Sequence, residues 1–150
     1  EIRGSCASES QPHSSKPSWN WGKPMKAMLS IKPEYVDRIL SGEKTYEFRR
    51  RIFKRRDVDT IVIYATSPRC AVVAEAGITR IIAEKPEDLW TRTHKHGGIS
   101  KDRFMAYFRG RDVAYAIEIG QVTRYKEPQA LSEYAPEVKA PPQSYVYLER

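Results

Sequence analysis

Short runs of apolar residues with strand spacing make up most of this sequence, and turn residues separate them. Six such segments lie at positions 26–31, 44–50, 59–65, 70–82, 113–122 and 144–148. Three helical patterns lie between these segments, and they begin at Pro33, Pro86 and Ser100. Five or six strands with about three short flanking helices predict an α+β fold, built on a partly closed β-barrel.

The first helical pattern has clear start and stop signals. Pro33 stands where the first turn of a helix tolerates proline, and Gly42 is the predicted C-terminal cap. One helix face carries four apolar residues, namely Tyr35, Val36, Ile39 and Leu40. The next segment alternates as a half-buried strand does, which places Glu47 and Arg49 on the same face.

The first 24 residues differ from the rest of the chain. They are rich in Ser, Pro and Gly, show no apolar periodicity and lack the hydrophobic core of a signal peptide. We therefore expect residues 1–24 to be a disordered or vector-derived tail, and residues 25–150 to be one folded domain. Trp19 and Trp21 are exceptions, because such a pair could dock on the domain or stack a base.

Composition excludes several classes of protein. The chain has no apolar run near the roughly 18 residues that a membrane span needs. Cys6 and Cys70 lack the spacing of a metal knuckle, which favours a reducing, cytoplasmic location, and Cys70 is predicted to be buried. His94 and His96 have no third ligand at metal-binding spacing, so neither a metal nor another cofactor is predicted.

Positive charge is concentrated in one octet, residues 49–56. Six of its eight residues are basic and none is acidic, whereas the whole chain carries a formal charge of +7. The basic residues are Arg49, Arg50, Arg51, Lys54, Arg55 and Arg56. Local positive charge attracts phosphate groups, so this octet is a candidate for contacts with a nucleic-acid backbone. The alternative is a solvated loop without a partner.

Gly42, Lys44, Glu47 and Arg49 form a G-x-K-x-x-E-x-R pattern at the junction of the first helix and the second strand. The pattern resembles the signature of the ASCH domain family, and the resemblance extends from Met25 to about residue 148. It implies a PUA-like β-barrel that binds RNA or another nucleic acid in a cleft beside the motif. The alternative is that these charges only pair with one another and orient the strand.

The predicted ligand-binding set extends beyond this motif. Two segments are expected to border the same cleft, because each brings hydroxyl, amide or aromatic groups to the end of a strand. The complete predicted set is Lys32, Lys44, Glu47, Arg49, Tyr64, Ser67, Gln143, Ser144 and Tyr145. Backbone contacts are expected from Arg50, Arg51, Lys54, Arg55 and Arg56.

The resemblance leaves catalysis open. Some ASCH-like proteins are amidohydrolases of acylated cytidine, with a lysine, a threonine three residues later and a distant glutamate. Lys44 matches the lysine, but Glu47 replaces the threonine and the glutamate aligns with Gly97 and Gly98. That activity is therefore not carried over. Ribonuclease activity has also been attached to the family, and Lys44 and Glu47 are the candidate catalytic pair if the chain is an enzyme. A third alternative is an interaction module whose basic octet meets an acidic protein partner.

Overall fold

A computed structural model describes residues 25–150, and the predictions for the tail, including Trp19 and Trp21, lie outside this range. The strands are β1 (Met25–Ile31), β2 (Tyr46–Arg49), β3 (Val58–Ala65), β4 (Ala71–Glu84), β5 (Ala114–Gln129) and β6 (Val146–Glu149). The helices are α1 (Pro33–Ser41), α2 (Pro86–Thr93), α3 (Lys101–Tyr107) and α4 (Leu131–Tyr134), with a 3₁₀ turn at His94–His96. The sequence pattern did not predict α4 or the 3₁₀ turn.

The six described strands form one mixed sheet in the order β2-β5-β4-β3-β1-β6. Only β1 and β3 pair in parallel, while the other four neighbouring pairs are antiparallel. The sheet does not close on itself, because β2 and β6 remain as its two edges. The predicted α+β fold with a partly closed PUA-like barrel is confirmed in this open form.

Strands β4 and β5 are longer than predicted and form the longest antiparallel pair of the sheet. Their register shifts beside Gly77, and a glycine inside a strand commonly marks such a bulge. Strand β5 was expected to end at Val122, since polar residues follow. It continues to Gln129 because these polar residues pair with β4, for example Arg124 with Ala74.

Helix α1 begins and ends as its sequence predicts. Pro33 is in the first turn, and Val36 and Ile39 are buried. Gly42 adopts φ 88° and its backbone N–H donates a hydrogen bond to the Ile39 carbonyl. This left-handed conformation favours glycine, so the turn from α1 toward β2 depends on Gly42.

The core divides between the two faces of the sheet. Leu29 and Ile63 belong to the cluster beneath α1, whereas their neighbours Met28 and Tyr64 belong to a separate cluster. A third cluster joins the aromatic side chains of α3 to the sheet through Phe48. Alternation along each strand therefore determines which residues can reach a site beside α1.

The prediction that Cys70 is buried is wrong. Its side chain is exposed, and its φ is 48° in the turn between β3 and β4. The sequence pattern placed it at the start of a strand, but β4 begins one residue later, at Ala71. Within residues 25–150, none of the helices is long and apolar enough to cross a membrane.

Candidate functional site

A cavity of about 310 Å³ lies between α1, β2 and α3. Its lining residues come from four separate parts of the chain: Ser30, Ile31, Lys32, Tyr35, Lys44, Glu47, Phe48, Arg49, Ile99, Arg103, Tyr107 and Gln143. Five of the nine predicted ligand residues are among them, namely Lys32, Lys44, Glu47, Arg49 and Gln143. We refer to this space as the motif cavity.

Lys44 is the most enclosed charged group of the motif cavity, with 3% of its surface exposed. Its Nζ donates a hydrogen bond to the Gly97 carbonyl at 2.6 Å. The same atom lies 4.7 Å from the centre of the Phe48 ring and 5.2 Å from that of Tyr35. Aromatic faces attract a cation, so these two rings and one carbonyl replace part of the lost hydration.

Gly98 makes room for Lys44. Its φ is 63°, and a Cβ built on it would lie 2.7 Å from the Lys44 Cβ. Neither atom could move without a shift of backbone, because both are attached directly to it. Gly97 and Gly98 align with the glutamate of the amidohydrolases, but they have no side chain. Lys44 therefore contacts only backbone there, through the Gly97 carbonyl.

Burial changes the acidity of Lys44. The pKa of Lys44 is lowered from 10.5 to about 8, mainly by desolvation; the Glu47 carboxylate opposes this change, and Arg38 and Arg49 add to it. The amine is therefore still mainly protonated at neutral pH, but it releases its proton more readily than an exposed lysine does.

Glu47 and Arg49 project from the same face of β2, as predicted. The Arg49 Nε donates to Glu47 Oε2 at 3.1 Å, and the remaining guanidinium nitrogens donate to the carbonyls of Ser30 and Ser144. Arg49 is thereby fixed between three segments. Glu47 is 7% exposed, and no residue in the described range donates a hydrogen bond to its Oε1.

Aromatic and cationic side chains complete the wall of the motif cavity. Tyr35 of α1, together with Arg103 and Tyr107 of α3, lines it. The Arg103 guanidinium lies 5.1 Å from the centre of the Tyr35 ring and donates to both oxygens of Glu34 at 3.2 Å. None of these three residues was among the predicted site residues. The spacing of four between Arg103 and Tyr107 placed them on one face of α3, but only the fold turns that face toward β2.

A second cavity of about 450 Å³ adjoins the first. It is lined by Arg49, Arg50, Arg51, Tyr107, Arg111, Gln143 and Ser144. Arg49, Tyr107 and Gln143 line both spaces, so the two cavities are adjacent. We refer to the second space as the arginine cavity. Arg111 was not among the predicted site residues.

The basic octet divides into two parts. Arg49, Arg50 and Arg51 line the arginine cavity, whereas Lys54, Arg55 and Arg56 do not. The Arg55 guanidinium forms a two-pronged ion pair with Asp57, at 3.0 and 2.7 Å. The backbone N–H groups of Lys54 and Arg55 donate to the Tyr147 hydroxyl.

Of the four remaining predicted ligand residues, only Ser144 lines either cavity. Ser144 lines the arginine cavity and holds Arg49 through its carbonyl. Tyr145 packs edge-to-face on Phe53, with ring centres 5.6 Å apart. Tyr64 is only 5% exposed and packs in the cluster with Met28, so it does not line either cavity. Ser67 is exposed in the turn after β3 and also lies outside both.

The histidine pair lies at a helix end. The Nδ1 atom of His94 makes a hydrogen bond with the Trp90 carbonyl at 3.0 Å. The described part of the chain contains no group of three or more His, Cys, Asp or Glu side chains placed to hold a metal ion.

Comparison with known proteins places this open six-stranded sheet in one class, the ASCH domains. Residues 26–138 match the family described as Domain of unknown function (DUF365). The chain is 32% identical to the ASCH domain-containing ribonuclease of Zymomonas mobilis over 127 residues, which are 83% of this chain and 85% of that protein. This chain belongs to the ASCH domain family, as the sequence pattern predicted.

Solved structures agree with this assignment. The crystal structure of ASCH from Zymomonas mobilis superposes with a TM-score of 0.75 at 32% identity, covering 83% of this chain and 88% of that one. A second curated protein matches over a shorter stretch of sequence. The chain is 32% identical over 74 residues to the large ribosomal subunit protein uL22 of Ureaplasma parvum. It covers 49% of this chain and 24% of the ribosomal protein.

Proposed function

We propose that this ASCH domain binds single-stranded RNA and takes one unpaired nucleotide into the motif cavity. The observation that carries the proposal is the convergence of Lys44, Glu47 and Arg49 on one cavity with aromatic walls. Sequence-specific recognition of RNA commonly uses unstacked bases held between aromatic side chains and polar groups. The similarity to a protein described as a ribonuclease supports RNA as the nucleic acid.

The size and charge of the motif cavity fit a single nucleotide. Its volume of about 310 Å³ is at the lower end of the range for small-molecule sites, about 300–1,000 Å³. Lys32, Lys44, Arg49 and Arg103 bring four cations to its wall, and Glu47 is the only acidic residue among those that line it. This excess of positive charge favours an anionic ligand such as a nucleotide.

Glu47 is the group best placed to distinguish bases. Arg49 occupies its Oε2 atom, so Oε1 can accept a hydrogen bond from the exocyclic amino group of a base. Because Glu47 is nearly buried, a base that offers it no N–H donor would leave the carboxylate poorly solvated. The one N–H on the pairing edge of uracil lies between two carbonyl oxygens, which a carboxylate repels. We therefore expect a preference for adenine, cytosine or guanine over uracil.

Glu47→Gln tests this proposal. Binding is measured by fluorescence anisotropy with RNA pentamers that differ only in the central base. The amide keeps the shape but loses the charge, so the preferred pentamer should lose roughly 1–3 kcal/mol of binding free energy while the others change little. Glu127→Gln, an exposed position, is the matched control and should change nothing. Equal affinities of wild type and Glu47→Gln for all pentamers would contradict the assignment of the motif cavity.

RNA cleavage is a second candidate function. Two observations favour it: the description of the Zymomonas relative as a ribonuclease, and the lowered pKa of Lys44, about 8. In such a reaction the 2′-oxygen loses its proton and attacks the neighbouring phosphorus, and the departing 5′-oxygen gains a proton. A lysine with this pKa can exchange protons near neutral pH, which an ordinary lysine does poorly.

The cleavage candidate has its own test. The substrate is a DNA oligonucleotide that contains one ribonucleotide, because only the ribonucleotide has the attacking 2′-hydroxyl. Wild type should cut after that nucleotide alone, and both Lys44→Met and Glu47→Gln should abolish cleavage. Activity that persists in both variants would place catalysis elsewhere, and no cleavage by wild type would leave RNA binding as the function.

A further inference from the structure

The arginine cavity has a charge arrangement that the motif cavity lacks. Arg50, Arg51 and Arg111 line it together with Arg49, and the residues of its lining include no Asp or Glu. Arg49 is neutralised by Glu47, at 3.0 Å. The other three guanidinium groups have no ion pair with any carboxylate in the described range. Like charges gathered in one concave space repel one another, so an anion bound there would relieve an unfavourable interaction.

Arg50 is already held in position. Its Nε donates to the Tyr107 carbonyl at 2.7 Å, and its guanidinium lies 4.5 Å from the centre of the Tyr107 ring. Its two terminal NH₂ groups make no hydrogen bond with a described residue. Guanidinium groups with free N–H pairs are the usual partners of phosphate, because their planar fork matches two phosphate oxygens.

The position of the arginine cavity specifies which phosphate it would bind. Arg49, Tyr107 and Gln143 line both cavities, so a nucleotide in the motif cavity would have its neighbouring groups close to the arginine cavity. We propose that the arginine cavity binds the phosphate group attached to the nucleotide whose base occupies the motif cavity. Arg50, Arg51 and Arg111 are the phosphate ligands, since none of the three forms an ion pair with a carboxylate in the described range. The inference rests on the proposed function and narrows its ligand to a nucleotide recognised through both base and phosphate.

The phosphate can be an internal phosphodiester or a terminal phosphomonoester, since both present the same anionic oxygens. Two sets of RNA pentamers distinguish them. In the first set one linkage at a time is a neutral methylphosphonate, and in the second a 5′- or 3′-phosphate is added to the end. Affinities are measured for wild type, for Arg51→Gln and Arg111→Gln, and for Lys54→Gln, which removes an exposed charge outside both cavities.

A built phosphate site predicts a position-specific effect. Neutralising one linkage, or omitting one terminal phosphate, should weaken binding to wild type and Lys54→Gln by about tenfold, since charge-assisted hydrogen bonds are lost. The same change should have a smaller effect, about threefold, in Arg51→Gln and in Arg111→Gln, because each variant has already lost one of the partners of that phosphate. Equal effects at every linkage, or an undiminished effect in both arginine variants, would overturn the inference while leaving RNA binding intact.

A different result would overturn the proposed function and not the phosphate site. If wild type binds none of the pentamers, inorganic phosphate alone is titrated and followed by NMR chemical shifts. Phosphate-induced shifts of the Arg51 signal that weaken in Arg111→Gln, and of the Arg111 signal that weaken in Arg51→Gln, but that persist in Lys54→Gln, would support the arginine cavity as an anion site. The absence of such shifts would overturn the phosphate site as well.

Discussion

The burial of Lys44 should make stability depend on pH in a defined way. Replacement by methionine keeps a similar length and shape but removes the charge. The variant no longer holds a cation in an enclosed site, but it leaves the Gly97 carbonyl without its donor. A buried polar group without a partner costs about 1–3 kcal/mol. At neutral pH these two effects oppose each other, so Lys44→Met should be close to wild type in stability.

The magnitude follows from the pKa. Burial lowers the pKa of Lys44 from 10.5 to about 8, and one pKa unit corresponds to about 1.4 kcal/mol. The charged lysine is thus disfavoured by about 3 kcal/mol in the folded protein relative to the unfolded chain. Between about pH 8 and pH 10.5 the unfolded state binds more protons, so the contribution of Lys44 to stability rises with pH. Below pH 8 both states are charged, and this contribution is constant.

The assay compares urea unfolding of wild type and Lys44→Met at pH 7 and pH 10. Other groups titrate in both proteins, so their effects cancel in the difference. The free energy of unfolding of wild type relative to the variant should increase by about 2 kcal/mol between these pH values. Lys54→Met, at an exposed position, should show a constant difference. A constant difference for Lys44→Met too would show that Lys44 keeps an ordinary pKa, and would refute the argument from burial.

Two further predictions concern Gly98 and the basic octet. Gly98→Ala should lower the free energy of unfolding by about 2 kcal/mol or more in a urea titration, because the new Cβ would clash with Lys44. Gly110 is the control, since its φ is 78° but a Cβ added there has no atom within 4 Å. Gly110→Ala should therefore lower the free energy of unfolding by only about 1 kcal/mol. Filter binding at several salt concentrations tests the basic octet. The double variant Arg50→Gln, Arg51→Gln should reduce the log–log slope of affinity against salt by about 0.7 for each phosphate that loses its cationic partner. The double variant Lys54→Gln, Arg56→Gln should reduce the slope less.

Features that depend on neighbouring residues could be predicted from the sequence. Gly42 ends α1 because only its own conformation and the preceding turn decide the cap. Ser100 caps α3 in the same local way, since its hydroxyl accepts from the Arg103 N–H. Glu47 and Arg49 share a face because strands alternate with a period of two. These local rules were sufficient for the order of the six strands along the chain, the first three helices and the motif.

Contacts between residues far apart in the chain follow only from the tertiary structure. Lys44 contacts Gly97, 53 residues away, and Arg111 joins Arg51 in the arginine cavity. No local pattern specifies such pairs, because they follow from the order of strands in the sheet and the docking of α3. Tyr64 shows the same limit, since its strand was predicted correctly but its side chain packs on the face away from α1. Local sequence thus specifies the helices, the strands and the charges on them, whereas the packing between distant segments forms the motif cavity and the arginine cavity.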